Sequence, residues 1–309
     1  MAQKEKKGPM TALWMGLGLI LIVAVVMVFA YRAIFPADDS RDPMGGAKIK
    51  SQEIWSADGL TVTASEIGKY VERSWDRDAV YLKVKNDGSS PKVLRCTALS
   101  VNGAAVQPEL LLEAQPGATT DGKLLFDRMS LYDMQIIHVG EISLELAAYD
   151  PVSGSETARS GRITLKTNKA KKAETPSFMY KTEALCDTNG IRISAADLSV
   201  AYSDASSALR LYVENTSGTD IRVVPADIKV NGKTYEVKQK NADGSVYDTR
   251  GVGEGYTFPA GTNGSFYYEL EWEPLEDVLP LDNVTGTFKI LDNKNGQSIA
   301  EAPFEYKYQ

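Results

Sequence analysis

The sequence predicts an all-β protein in which two tandem antiparallel β-sandwiches follow a single N-terminal transmembrane helix. Three observations support this prediction. Residues 8–31 form an uncharged apolar run, apolar and polar residues alternate through most of the later chain, and the alternation lapses at residues 168–177. Strict alternation indicates strands with one buried and one solvated face, which is typical of antiparallel sheets packed in layers.

The transmembrane helix is predicted over residues 8–35. No charged residue lies between Lys7 and Arg32, and this run satisfies the requirement of roughly 20 apolar residues for crossing a bilayer. Lysines precede the run and aspartates follow it, so the positive-inside rule places the tail 1–7 in the cytoplasm and the rest outside. A cleaved secretory signal peptide is the alternative interpretation, because the segment ending at Ala30 resembles a cleavage site.

The composition is that of a folded, acidic chain. Hydrophobic residues make up 43% of it and charged residues 24%, with a formal net charge of −7. Since Lys4, Lys6 and Lys7 precede the predicted helix, the predicted exported part is more acidic still. Such a surface repels phosphate groups, which argues against nucleic acid as a partner and against peripheral binding to anionic lipids.

The first sandwich domain is predicted over residues 53–167, after a polar spacer at residues 36–52. The spacer is rich in Asp, Gly and Pro, a composition typical of a flexible segment. Alternating apolar residues and turn residues such as Asn102-Gly103 then mark about seven strands, the number expected of an immunoglobulin-like sandwich. The clearest alternating apolar sets are Leu60, Val62 and Ala64; Val80, Leu82 and Val84; and Ile142, Leu144 and Leu146.

A linker is predicted at residues 168–177, where lysines replace the apolar periodicity. The second sandwich domain follows over residues 178–309, again with about seven strands. Phe304, Tyr306 and Tyr308 alternate with polar residues near the C-terminus, which predicts a final strand inside a sheet.

The two predicted domains carry the same landmarks in the same order, which indicates an internal duplication. The matching segments are 58–60 with 189–191, 80–88 with 209–218, 101–103 with 230–232, 116–117 with 259–261, and 122–126 with 264–268.

These landmarks resemble a group of immunoglobulin-like surface domains found in exported and lipid-anchored proteins of Gram-positive bacteria. The shared pattern is an opening glycine-containing strand, a strand ending at Asn86 or Asn215, a Val-Asn-Gly turn, and a proline and glycine before a Gly-x-Phe strand. The resemblance covers residues 56–167 and 181–308. It implies fold and an extracytoplasmic location but no chemistry, because the group has no agreed active site. This chain departs from many members by having a membrane helix in place of a lipid-modified cysteine.

The cysteine and histidine content argues against most kinds of catalytic and metal site. Cys96 and Cys186 fall in different predicted domains, so neither domain can contain a disulfide, and both thiols are expected to be unpaired. His138 is the only histidine, so a zinc cluster cannot form from these residues. No serine lies in a nucleophile-elbow motif. We therefore predict no catalytic residues and no cofactor.

Of the possible metal ions, calcium is the one whose binding residues the sequence comes closest to supplying. Asp243 and Asp248 lie among other oxygen-bearing side chains near Gly244, and residues 292–296 form a second such stretch. Oxygen donors at alternate positions are typical of calcium loops, but both stretches lack the terminal bidentate glutamate. The alternative, a simple hairpin turn, explains the same Asp-Gly and Asn-Gly pairs.

The segment 238–256 is long for a connection within a sandwich, and long loops are where binding residues concentrate. Its alternative interpretation is an insertion with no partner. The side chains predicted to bind are those of Asn241, Asp243, Tyr247, Arg250 and Tyr256.

The predicted function is non-enzymatic. We expect a single-pass membrane protein whose tandem modules bind or position a protein or cell-wall partner outside the membrane. One alternative is an extracellular sensor or accessory subunit of a membrane complex. Another is an accessory to carbohydrate processing, whose carboxylates would converge only in the folded chain.

Overall fold

The computed structural model describes residues 42–72, 75–180, 182–200, 206–234, 255–271 and 282–307. The predicted tail 1–7 and transmembrane helix 8–35 lie outside these residues. Within the described ranges, no helix combines the length and the apolar character needed to cross a membrane.

The described chain is nearly all β and sandwich-like, as the alternation predicts. We call the strands up to residue 166 the first unit and those from residue 183 the second unit. The first unit contains β1 (Gln52–Ala57), β2 (Leu60–Glu72), β3 (Trp75–Asn86), β4 (Lys92–Val101), β5 (Ala104–Ala105), β6 (Pro108–Glu109), β7 (Leu111–Ala114), β8 (Thr119–Asp127), β9 (Glu141–Tyr149) and β10 (Glu156–Lys166).

The second unit contains β11 (Glu183–Thr188), β12 (Ile191–Val200), β13 (Ser206–Asn215), β14 (Ile221–Val230), β15 (Lys233–Thr234), β16 (Tyr256–Phe258), β17 (Thr262–Glu271), β18 (Asn283–Asp292) and β19 (Ser298–Lys307).

The two units repeat one strand order. In the first unit β1, β2, β3 and β8 form one sheet, while β10, β9 and β4 form the other with β5 and β7 beside β4. In the second unit β11, β12, β13 and β17 are neighbours, and β19, β18 and β14 form the opposite sheet with β15 and β16 beside β14. Every strand of the second unit therefore has a counterpart in the first, whereas β6 is found in the first unit alone among the described residues.

A buried asparagine closes the third strand of each unit. The Asn86 side chain donates 2.9 Å hydrogen bonds to the carbonyls of Ser90 and Ala114, and the Asn215 amide donates equivalent bonds to Thr219 (2.9 Å) and Phe258 (2.8 Å). Burying an amide is favourable only when its polar atoms are paired. These matched bonds explain why both strands end at Asn.

The hairpin turns also match. Asn102 and Gly103 both have positive φ values, 50° and 91°, and Asn231 and Gly232 have 48° and 78°. Positive φ at both central residues is the requirement of a type I′ turn, which Asn-Gly satisfies with little strain. The Asn-Gly pairs therefore set the positions of β5 and β15.

The cores of the two units use different residues to fill the same space. Leu144 on β9 pairs with Ile163 on β10, and at the corresponding position Gly286 on β18 pairs with Phe304 on β19. A Cβ atom on Gly286 would lie 2.9 Å from the Phe304 ring, so a small residue admits the larger aromatic. Phe304 in turn stacks on Phe288 with ring centroids 4.2 Å apart.

The predicted spacer and linker are packed against the first unit where the structure describes them, which differs from the expectation of a flexible spacer. Met44 is 4% exposed within the first core, and the Pro43 carbonyl accepts a 2.9 Å bond from Val139 N–H. In the linker, Glu174 accepts from the backbone and ring of His138. Composition alone predicts solvation, but these backbone and apolar contacts hold both segments in place.

Short helical structure appears where the sequence predicts none. Helix α1 (Arg128–Asp133) begins at Asp127, whose carboxylate accepts a 3.0 Å bond from Met129 N–H as an N-cap. Six residues give too little periodicity to be detected in a sequence. The helix nevertheless places Arg128 against the buried carboxylate of Asp78.

The pair formed by Asp78 and Arg128 is the main buried charge of the first unit. The Arg128 guanidinium lies 2.5 Å from the Asp78 carboxylate, and Asp78 is fully buried. Burial raises the pKa of Asp78 to about 6, although the hydrogen bond from Arg128 acts in the opposite direction. Asp42 extends this cluster and binds Lys69 at 2.7 Å, so the start of the described chain is fixed by charge as well as by packing.

Candidate functional site

The candidate binding segment lies in the chain between β15 and β16. Both strands pair with β14, where Thr234 is opposite Lys229 and Tyr256 is opposite Val223. Lys229 lies six positions after Val223 along β14, a distance of roughly 20 Å. The segment 235–254 therefore starts and ends along one strand, with its ends well apart.

Each end of this segment is anchored by local chemistry. At its start, the Asn231 carboxamide oxygen accepts a 2.8 Å bond from Asp282 N–H and a 3.2 Å bond from Asn283 N–H. At its end, Gly255 has φ +86° and lies so close to the Val223 carbonyl that a side chain could not fit. Both ends are thus fixed to β14 and β18.

Of the five predicted binding residues, the structure describes Tyr256. Its ring stacks on Phe266 with centroids 4.5 Å apart and packs against the second core. Tyr256 therefore anchors the segment. The other four, Asn241, Asp243, Tyr247 and Arg250, lie outside the described residues, as does the calcium candidate Asp248.

The counterpart of this segment in the first unit is short, and it contacts the second unit. Only residues 106–110 separate β5 from β7. Ala104 of β5 pairs in parallel with Asn263 of β17, and this pairing joins strands of both units into one nine-stranded sheet. Ala105, 2% exposed, belongs to the core of the second unit. The first unit thus supplies part of its neighbour's core.

A glycine makes this joint possible. Gly264 on β17 faces β5, and a Cβ atom there would lie 2.7 Å from the Ala105 carbonyl oxygen. No real Cβ tolerates that approach to backbone. Beside it, the Gln107 side chain exchanges two 3.3 Å hydrogen bonds with the backbone of Thr257. The loop just after β5 therefore binds the second unit through hydrogen bonds to the backbone of Thr257.

Further polar and aromatic contacts surround the joint. The pairs are Asn293 with the Thr97 carbonyl at 3.1 Å, Arg162 with Asp220 at 2.8 Å, Ser265 with Asp133 at 3.2 Å, and the stacked rings of Phe178 and Tyr212 with centroids 4.7 Å apart. These contacts reach across the joint from strands, from helix α1, from a turn and from the segment just after the predicted linker.

The described residues contain no group of three or more His, Cys, Asp or Glu side chains placed to hold a metal ion. In the predicted turn 292–296, the Asp292 carboxylate accepts bonds from Lys294 N–H at 2.7 Å and Asn295 N–H at 3.0 Å. Asp150 accepts equivalent bonds from Val152 and Ser153 at the matching turn of the first unit. Both aspartates stabilise hairpin turns, a repeat landmark that the sequence comparison missed.

The structure describes the surroundings of His138, Cys96 and Cys186. Burial opposes ionisation of Glu174, but its bonds from the ring and backbone of His138 bring its pKa below the ordinary value. Cys96 and Cys186 are free thiols. Burial raises the pKa of Cys96 to about 12, which makes its thiolate a poor nucleophile at neutral pH.

Comparisons with known proteins identify no family. No protein family and no curated protein sequence matches the chain. Among solved structures, a protein of unknown function from Porphyromonas gingivalis W83 aligns over 81% of this chain and 100% of its own, at 11% identity and a TM-score of 0.22. A TM-score this low supports no inference about fold or function.

Proposed function

We propose that this protein is a single-pass membrane protein that presents two tandem immunoglobulin-like sandwiches outside the cytoplasmic membrane and binds a protein or cell-wall partner through residues 235–254. It acts by binding and positioning, without catalysis. The observation that carries this proposal is the joint between the units. There, the chain that follows β5 is already used to bind a neighbouring sandwich.

The proposed binding segment occupies the position in the second unit that the contacting loop occupies in the first. In the first unit, β5 and the residues after it bind the second unit through Ala105, through the bonds of Gln107 to Thr257 on β16, and through backbone pairing of β5 with β17. In the second unit, β15 occupies the same place beside β14, and the chain that follows it is about fourfold longer. The repeated fold thus has a segment at this position in both units, a short one that contacts the second unit and a longer one in the second unit itself.

The residues of the longer segment suit a binding role. The sequence between Thr234 and Gly255 includes Tyr235, Tyr247 and Arg250, and tyrosine and arginine are enriched among the residues that dominate binding energy. A long segment held at both ends can present such side chains with less loss of entropy than a free tail. The anchoring of Tyr256 on Phe266 serves this purpose.

Site-specific photo-crosslinking in intact cells tests the proposal. The full chain would carry p-benzoylphenylalanine at Tyr247, or at Val152 as a control, since Val152 is 94% exposed on another turn. We expect a discrete adduct from position 247 that is absent from position 152.

A loop replacement provides the second arm. Residues 235–254 would be exchanged for a glycine-serine linker of about eight residues, which can span the gap of roughly 20 Å between the anchored ends. The adduct should disappear while the unfolding temperature of both units is retained. Identical adducts from positions 247 and 152, or none from Asn241, Tyr247 and Arg250, would refute the binding role.

A further inference from the structure

We propose that the first unit rests on the membrane surface through a defined face, here named the N-terminal face. It consists of the exposed apolar side chains of Val71, Met129 and Ile137 and the linker lysines Lys169, Lys171 and Lys172. Its occupant is the anionic lipid surface in which the chain is anchored. This inference rests on the proposed function, because it requires the predicted helix at residues 8–35 to be a membrane anchor.

The described chain begins at the centre of this face. Asp42 lies 2.7 Å from Lys69 and 3.9 Å from Arg128, and the next residue, Pro43, bonds to Val139. Three separate segments of the first unit therefore surround the point where the chain arrives: the end of β2, helix α1, and the residues before β9.

Each of these three segments exposes a large apolar side chain within two residues of its contact with Asp42 or Pro43. Val71 is 62% exposed, Met129 54% and Ile137 44%. Exposed apolar residues scattered singly need no explanation, but a group of them marks an interaction surface. Seven large apolar residues are exposed within the described ranges, and three of them surround this one point.

The linker lysines lie against the same segments. Thr167 bonds to Val139 and Gly140, and Glu174 accepts the Ile137 N–H, so the linker runs beside the residues that precede β9. Lys171 and Lys172 are exposed, and Lys169 is partly exposed. Of the acidic groups near this face, Asp42 holds Lys69, Glu174 holds His138, and Asp127 caps helix α1.

Chain length brings this face to the bilayer. Six residues, 36–41, lie between the end of the predicted helix at residue 35 and Asp42, and the seven steps from residue 35 to residue 42 span at most roughly 25 Å when fully extended. The turn at residues 150–155 lies at the opposite end of β9 and β10, about 30 Å further along these strands. The tether thus permits contact with lipid by the N-terminal face and holds the far turn away.

Charge complementarity selects the kind of lipid. The predicted exported part is acidic overall, so a detached copy would be repelled by anionic lipids. A tethered copy differs, because the lysines of the N-terminal face lie within reach of the surface, where basic residues are attracted to anionic headgroups. The exposed apolar side chains beside these lysines can insert at the headgroup boundary.

The test uses the full chain reconstituted into vesicles of phosphatidylcholine with about 30% phosphatidylglycerol, a strongly anionic surface. p-Benzoylphenylalanine is introduced at Met129 or, as the control, at Val152. We expect flotation of both proteins with the vesicles and a lipid adduct at position 129 in about tenfold excess over position 152, corresponding to 1.4 kcal/mol of preference.

A charge-reversed variant, K169E/K171E/K172E, should lose most of the adduct at position 129. The matched control K289E/K294E/K307E, which changes the same charge on exposed lysines of the second unit, should retain it. Loss of the adduct in pure phosphatidylcholine vesicles is also expected.

The outcomes separate this inference from the proposed function. A chain that floats but gives equal lipid adducts at positions 129 and 152, or an adduct with a second copy of the chain at 129, overturns the inference and leaves the anchor in place. Equal losses in the two charge variants overturn it as well. A chain that does not float overturns the anchor, and with it the inference.

Discussion

The two units differ most at the segment that follows their Asn-Gly hairpin. In the first unit, residues 106–110 connect β5 to β7 and contact the second unit. In the second unit, residues 235–255 connect the equivalent strands β15 and β16. Elsewhere the units share strand order, hairpin turns and the buried asparagines. The two units therefore keep the same sandwich strands and differ in the segment that, in the first unit, contacts the second unit.

The acceptor edges of the two units differ as well. The β8 edge of the first unit pairs with its own β6, whereas the corresponding β17 edge of the second unit pairs with β5. An exposed strand edge invites pairing with another chain. Among the described residues, part of each equivalent edge is paired, one within its own unit and one with the neighbouring unit.

The largest expected effects test the equivalence of the cores. Leu146 and Phe288 occupy matching positions on β9 and β18 and are fully buried. Leu146→Ala should lower the free energy of unfolding by about 2–5 kcal/mol and Phe288→Ala by about 3–5 kcal/mol. Denaturant unfolding of the full chain in detergent micelles measures both. A cost below about 1 kcal/mol for either would show that its position lies outside the core.

The asparagines give the next largest effect. Asn86→Ala and Asn215→Ala each leave buried carbonyl groups without their donors, so each should cost about 2–4 kcal/mol, with one unsatisfied group worth about 1–3 kcal/mol. Because the bonds match, the two costs should agree within about 1 kcal/mol. Amide exchange by mass spectrometry assigns each loss to its unit, and a large difference would break the equivalence.

A pH dependence should distinguish the first unit. Its Asp78 corresponds by sequence to Ser207 in the second unit. Because burial raises the pKa of Asp78 from 3.8 to about 6, the native state binds more protons than the unfolded chain between these values. The free energy of unfolding therefore falls as pH rises through this window, by up to about 3 kcal/mol.

The measurement compares unfolding at pH 4 and pH 7 for the native sequence and for Asp78→Asn. Stability of the native sequence relative to the variant should decline between the two pH values. A relative gain with rising pH would mean that the bond to Arg128 outweighs burial, contrary to this account.

The smallest effect concerns the periphery of the joint. The Arg162 side chain is 46% exposed and bonds to Asp220 across the two units. Exposed ion pairs contribute about 0–1 kcal/mol, so Arg162→Ala should cost no more than that. Arg192→Ala, which removes a pair with Glu214 within the second unit, is the control. A cost above about 2 kcal/mol for Arg162→Ala but not for Arg192→Ala would show that exposed contacts at the rim contribute substantially to the stability of the joint.

Local patterns predict much of this fold. Leu60, Val62 and Ala64 alternate in the sequence and are all fully buried, because an alternating strand can bury only one face. The Asn-Gly pairs likewise specify their turns through φ alone. These signals depend on neighbours along the chain, which a sequence displays directly.

The joint and the charge cluster could not be predicted in this way. β5 contains two alanines, too short for a periodic signal, and its partner Asn263 lies far along the chain. Asp78 appears in the sequence as an ordinary polar residue of a strand, and only α1 brings Arg128 to it. The sequence indicates the long segment of the candidate site. It does not show that the equivalent loop of the first unit contacts the second unit, which is the observation that supports a binding role.

The first unit docks into the second through β5, and two matched glycines test this contact directly. A Cβ on Gly264 would collide with the Ala105 backbone of the other unit, whereas a Cβ on Gly122, at the same place on β8, would meet the movable Leu112 side chain at 2.8 Å. Amide hydrogen exchange of the full chain is measured for both alanine variants. The account predicts that Gly264→Ala removes protection at residues 99–106 and 262–266, while Gly122→Ala changes neither segment. Retained protection in Gly264→Ala, or equal losses in both variants, would contradict the docking of the two units through β5.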